Sequence, residues 1–228
     1  MPNFFLNSLF YKALSRSEND LDAQMQLLEK LIRGLQVINP VFNNWYVNNA
    51  KNSQPPLDLP FPSESADKYF KLLKKNNEFK PLLLWNGQIN NDYYANIALQ
   101  LIHLSISLNK TIQPSDLIKV FSVILEVFSV RYLYLSNNFN NEIRVFEHSY
   151  PVSSICYLPK ILKDIAIPHL YKKIIIDNEV NKGTLLIFDE NIYDESDEMK
   201  KKIQENTLAL VELDLIPSTK LPDNFFEK

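Results

Sequence analysis

The chain of 228 residues contains 3 glycines, Gly34, Gly87 and Gly183. Average usage of roughly 7% would give about 16. Glycine supplies positive φ and lets backbone approach a ligand closely, so its scarcity excludes several function classes at once. A dinucleotide-binding fingerprint, a phosphate loop and the Gly-x-Ser-x-Gly elbow of a hydrolase each need more glycine than any stretch here holds. The single cysteine, Cys156, excludes an intrachain disulfide and a multi-cysteine zinc site. His103, His148 and His169 make no His-Glu-x-x-His pair. On these grounds no metal site and no cofactor is expected.

Charge narrows the partners. Lys plus Arg number 24 against 27 for Asp plus Glu, a formal net charge of −3. That balance lacks the basic excess behind general phosphate-backbone binding, so nucleic acid is not an expected partner. Met1–Leu9 is apolar but short, without a basic start or a small-residue cleavage site. Leu117–Leu135 is the most apolar stretch, yet it carries Lys119, Glu126 and Arg131, which suits a buried segment better than a membrane span. The expectation is a cytoplasmic chain with no membrane partner.

Periodicity gives the elements. Leu21, Met25, Leu28, Leu31, Ile32, Leu35 and Ile38 recur at three- and four-residue steps, predicting a helix from about Ser17 to Ile38 with Ser17 or Asn19 as its cap. Pro40 ends it and opens an aromatic turn running to Ala50. Residues 51–62 hold four of the 13 prolines and read as a loop before a short helix from Ser63 to about Lys75. Leu82–Trp85 reads as a strand. Apolar residues alternate at Ile97, Leu99 and Leu101, then change parity at Leu104, Ile106 and Leu108, which predicts a bulge or a break between two strands. Pro114 opens a central helix to about Phe128. Val130–Leu135 and Ser154–Leu158 read as strands, and Lys173–Asp177 with Thr184–Phe188 as a hairpin about a turn at Gly183. A last helix spans Asp194–Leu213. The fold class is therefore α+β, a central mostly antiparallel sheet packed with helices, in one domain over residues 1–228.

Few residues offer chemistry. Cys156 reads as a small core residue on a strand, with His148 the one candidate base should it act as a nucleophile. A metal-dependent nuclease would need an Asp and a Glu-x-Lys at adjacent strand ends. Asp177 and Glu179 follow a strand, but Lys182 comes one position too late, and Glu198-Met199-Lys200 falls on a helix. An enzyme built on the Asp177 and Glu179 region, a small hydrolase or nuclease, is the alternative reading. The densest charge is Asp189, Glu190, Asp194, Glu195, Asp197 and Glu198. These acids can oppose a helix dipole, or form an exposed ridge that meets a basic partner. Trp45 and Trp85 either pin turns to the core or anchor a partner interface.

Three segments resemble the bacterial immunity protein 52 family. The first is the helix followed by Asn39-Pro40-Val41-Phe42-Asn43-Asn44-Trp45-Tyr46; the second is Trp85-Asn86-Gly87; the third is Gly183-Thr184-Leu185-Leu186-Ile187 ahead of a terminal helix. They occur in order across roughly residues 10–217. The family's usual Tyr-Trp-Gly start is absent from Leu9-Phe10-Tyr11-Lys12-Ala13, although Arg16 matches its Arg. The resemblance implies a non-enzymatic, cytoplasmic antitoxin of a toxin–immunity pair in interbacterial competition, including type VI secretion. Its partner would be a cognate polymorphic toxin, often a nuclease with a restriction-endonuclease-like domain. In that reading the acids at 189–198 meet the toxin, and Pro40, Trp45, Tyr46, Trp85, Asn86, Gly87 and Gly183 are structural.

Overall fold

In a computed structural model, which describes residues 4–14, 18–48, 57–77, 79–88, 92–163 and 166–219, the chain enters through a strand. This is β1 (Phe4–Phe10), in which Phe4, Leu6, Ser8 and Phe10 are buried and the alternate residues are not. After it come α1 (Glu18–Gln36), a 3-10 turn at Pro40–Phe42, β2 (Tyr46–Val47), α2 (Glu64–Asn76), β3 (Leu82–Trp85), β4 (Asn96–Leu99) and β5 (His103–Leu108). The second half holds α3 (Pro114–Val127), β6 (Val130–Ser136), α4 (Asn138–Glu142), β7 (Ile155–Leu158), β8 (Lys172–Asp177), β9 (Lys182–Ile187) and α5 (Asp197–Glu212).

The nine strands of the described residues form one sheet in the order β2-β3-β4-β5-β1-β6-β7-β9-β8, antiparallel throughout. The expected α+β class, a central antiparallel sheet with helices, is what the chain adopts. Helices α1, α2 and α3 pack on the first face, with Leu28, Leu31, Ile32 and Leu35 of α1 fully buried. Each such side chain contributes about 1.5–3 kcal/mol relative to exposure. An ion pair between Asp22 and Lys71, 3.0 Å apart, joins α1 to α2 at the surface. On the second face Met199, Ile203 and Leu210 of α5 pack over β6, β7 and β9, against Tyr132, Cys156 and Leu186. Those strands are buried on both sides, which accounts for the unbroken apolar run Ile155-Cys156-Tyr157-Leu158. Among the described residues, no helix is long and apolar enough to cross a membrane.

Several boundaries match their periodicity. β3 is as expected, and the parity change near Leu101 is a break, where β4 turns back on β5 through Gln100–Ile102. Ser63 caps α2, its hydroxyl accepting from Ala66 N–H at 3.1 Å. Of the two candidate caps for α1, Ser17 lies outside the described residues, as do Arg16 and Ala50, while Asn19 falls inside the helix. β1 was read only as a short apolar segment. Its alternation is masked by Phe5 and Leu9, which are apolar on the opposite face.

Two expectations need correction. Gly183 is not at a turn: it lies inside β9, opposite Ile176, and the chain reverses at Asn178–Asn181. A Cβ at Gly183 would stand 2.2 Å from the Leu158 carbonyl oxygen and 2.6 Å from the Tyr157 ring, so close approach to β7 accounts for this glycine. The last helix begins at Asp197, not Asp194, because the Ser196 hydroxyl accepts from Met199 N–H at 3.2 Å and caps it there.

Gly183→Ala is expected to destabilise the protein by about 2–3 kcal/mol, since backbone rather than a movable side chain meets the added methyl. A thermal melt against wild type measures this, and an unchanged midpoint would mean that β7 and β9 separate without cost.

Candidate interaction surface

The segments at 39–46 and 85–87 are far apart in sequence and form one unit in space. Asn39 accepts Val41 N–H at 3.1 Å through its Oδ1 and donates through Nδ2 to Asp116 at 3.1 Å, tying the Pro40 turn to the start of α3. Trp45 Nε1 donates to the Phe42 carbonyl at 2.8 Å, and its indole lies parallel to the Phe42 ring. Tyr46 then pairs with Trp85 across β2 and β3. The Asn86 side chain completes the unit. Its Nδ2 donates to Val41 O at 3.0 Å and Tyr93 O at 2.7 Å, while Oδ1 accepts from Ala95 N at 3.0 Å and Gln88 N at 3.3 Å. Gly87 has φ +76°, and a Cβ there would press on the Tyr46 ring at 2.8 Å. Trp45 and Trp85 are 2% and 3% exposed. Both pin turns, and neither is available as a surface anchor.

The acidic segment is less open than its composition suggests. Asp189 and Glu198 share Lys202, at 2.8 and 2.9 Å. Asp189 also accepts Asn191 N–H, and hydrogen bonds from Lys202 and this amide outweigh burial to hold its carboxyl below the usual carboxylate range. Asp194 accepts from the Ser196 amide and hydroxyl at 3.1 and 2.6 Å, a turn that sets up the cap. Glu195 accepts Asn137 Nδ2 at 2.7 Å and stands 3.5 Å from Lys110 Nζ. Glu190 and Asp197 are exposed and make no ion pair among the described residues. The other four acids therefore help to organise the loop and the helix start, two of them sharing a single lysine.

This segment lies at one end of the sheet. Asn137 follows β6 and Lys110 follows β5, and Tyr193 packs on Phe4 at 4.8 Å between ring centres and donates to Ile112 O at 2.7 Å. From there the second face of β1, β5 and β4 carries half-buried or exposed side chains, whereas on β3 the same face holds half-buried Leu83 and buried Trp85. Register sets Phe5 beside Ser107 and Ser107 beside Asn96, then Asn7 beside Ser105 and Ser105 beside Ala98. Phe5 is 39% exposed, and Ser105 Oγ donates to Asn7 at 3.1 Å. The result is a largely uncharged sheet face, with Ser105, Ser107, Asn7 and Asn96 between Phe5 and the larger side chains of β3, bordered at one end by carboxylates.

The other candidate groups do not converge. Cys156 is fully buried between β6 and β9, and burial pushes its thiol up to about 12, so the reactive thiolate is suppressed. His148 is exposed on a loop. His103 lies on the second face, where burial lowers its pKa. His169 contacts Glu205 of α5 through its ring, and its backbone is held on both sides by Asn206. Asp177 ends β8 opposite Lys182, 3.5 Å from its ammonium, while Glu179 sits exposed in the following turn. Among the described residues, no group of three His, Cys, Asp or Glu side chains is placed to hold a metal ion. No protein-family model matches this chain, and no curated protein matches it.

Two expected outcomes follow from the Asn86 and Asn39 networks. Asn86→Ala leaves four backbone groups without this partner and should cost about 2–4 kcal/mol in denaturant unfolding. Asp116 is held below the usual carboxylate range by its hydrogen bonds with Lys119 and Asn39, so its contribution is present above its ordinary pKa. That contribution is lost as pH falls through the lower folded value. The melting difference between wild type and Asp116→Asn should accordingly shrink as pH drops below 3.8.

Proposed function

We propose that this chain is an immunity protein, which binds and neutralises a cognate secreted antibacterial toxin, a nuclease with a restriction-endonuclease-like domain, in the cytoplasm of the producing cell. The observation that carries the reading is the Asn86 side chain, which bonds the Pro40–Tyr46 segment to the Trp85-Asn86-Gly87 turn. Two of the three sequence segments that resemble immunity proteins are thus parts of one packed unit, which supports the reading. The third segment adds a close-packed contact at Gly183. In this reading the protein acts by binding and performs no reaction.

A nuclease cleft must be basic to hold phosphates. An inhibitor covering it gains association rate by presenting carboxylates. Here Glu190 and Asp197 are the acids of the segment that make no ion pair among the described residues, and Asp194 and the half-compensated Asp189–Glu198–Lys202 cluster add to the same negative field. The adjacent Phe5 face offers uncharged area for the contact itself.

Co-expression with the toxin domain encoded beside this gene should restore growth, and purified chain should bind that domain in a one-step titration. Growth arrest together with absent binding would overturn the assignment. Within a binding pair, Glu190→Gln with Asp197→Asn should slow association about three- to tenfold at low salt. The effect should shrink as salt rises, since screening acts over about 8 Å at physiological ionic strength. Stopped-flow rates at two salt concentrations measure it, with the melting temperature as the folding control.

A further inference from the structure

The two edges of the sheet are treated differently. At the β2 edge, Leu59–Phe61 runs alongside: Tyr46 bridges to Pro60, Val47 N–H donates to Leu59 O at 2.9 Å, and Phe61 N–H to Trp45 O at 2.9 Å. At the other edge, β8 pairs with β9 alone, and among the described residues no strand lies on its outer side. β8 is regular from Lys172 to Asp177, with no proline, glycine or bulge, and its centre is Ile174-Ile175-Ile176. Such an edge exposes unpaired backbone donors and acceptors and is a template for another strand.

We propose that β8 is a homodimer interface, in which two copies pair their β8 strands antiparallel about a two-fold axis at Ile175. The charge pattern selects both the occupant and the register. Antiparallel neighbours share a face, so a two-fold perpendicular to the sheet requires one residue to stand opposite itself. With Ile175 at the axis, Lys173 of each copy stands opposite Asp177 of the other, and Ile174 opposite Ile176. Centring on Ile174 or Ile176 instead sets Lys173 or Asp177 against Ile175 and loses the Lys173–Asp177 pairs. In the Ile176 register Glu179 would face Lys173, but it lies past the end of the strand, in the turn. Directly opposed side chains lie about 4.5–5.5 Å apart, within reach for charge pairing. Ile175 is 44% exposed in the single chain, and Tyr171 beside the strand is 55% exposed. Lys173 donates to Lys163 O at 2.6 Å and Asp177 meets Lys182, but an ammonium has three donors and a carboxylate about four acceptor positions, so each keeps capacity for a second partner. The buried Ile176 and half-buried Ile174 would extend the first-face core across the axis.

One strand pair buries less than the roughly 1,200 Å² of a stable interface, so the dimer is of the reversible class, with a dissociation constant on the order of 10–100 µM. Sedimentation equilibrium of the full chain, without any toxin, from about 1 to about 500 µM spans that value. Ile175→Lys brings like charges together at the axis and should weaken the dimer at least tenfold. Lys173→Glu and Asp177→Lys should each weaken it, and the double variant should return to within about threefold of wild type, because the pairs re-form with reversed sign. Circular dichroism melts check that each variant folds, and the charge-reversal series stands alone should Ile175→Lys not fold. A wild-type chain that stays monomeric throughout overturns the proposal. So does a dimer that Ile175→Lys leaves intact, or one that the double reversal fails to restore.

Discussion

Among the described residues, β1 is the strand that joins the two halves of the sheet. Strands β2 to β5 come from residues 46–108, and β6 to β9 from residues 130–187. Between them stands Phe4–Phe10, paired to β5 on one side and to β6 on the other. Phe4, Leu6 and Phe10 carry the first-face core across this seam, where Phe10 stacks on Phe128 at 5.2 Å. Its formation closes loops of about a hundred residues before either pairing is rewarded, which makes the topology one of high contact order.

A chain with 3 glycines must make its turns by other means. Asparagine supplies many of them, since its side chain can bond backbone two or three residues on. Asn181 is the clearest case. Its side chain donates to the Leu125 and Phe128 carbonyls and accepts Val130 N–H at 2.9 Å, so the β8–β9 turn holds the exit of α3 and the entry of β6. Asn137 caps α4 while also meeting Glu195. Beyond α5, Asp214 adopts φ 52°, a conformation where glycine is the commoner choice. The glycines that remain sit where a methyl would collide: Gly34 against Val123 of α3, Gly87 against Tyr46 and Gly183 against Leu158.

The acidic segment illustrates how composition and structure diverge. Six carboxylates within ten residues suggest a uniform negative ridge. Lys202 lies in the same stretch, but Lys110 and Asn137 come from distant strand ends, and nothing local announces that they meet Glu195. The surface potential is therefore modulated by which acids acquire cationic partners, with Glu190 and Asp197 making no ion pair among the described residues. Trp45 and Trp85 were legible as turn residues, whereas the Asn86 bonds that unite their turns were not.

The sequence by itself determined most of the elements and the face each presents. Helix α1, strand β3 and the break between β4 and β5 follow from periodicity, because which side chains lie in register along one face is a local property of 3.6- and two-residue repeats. Only the tertiary structure decided the place of Phe4–Phe10 and the location of Gly183 within a strand, against Leu158. It also brought Lys110 and Asn137 to Glu195 and left β8, among the described residues, without a strand on its outer side. These depend on pairings between residues tens of positions apart, whose energies are settled by three-dimensional proximity, and local pattern carries no record of that.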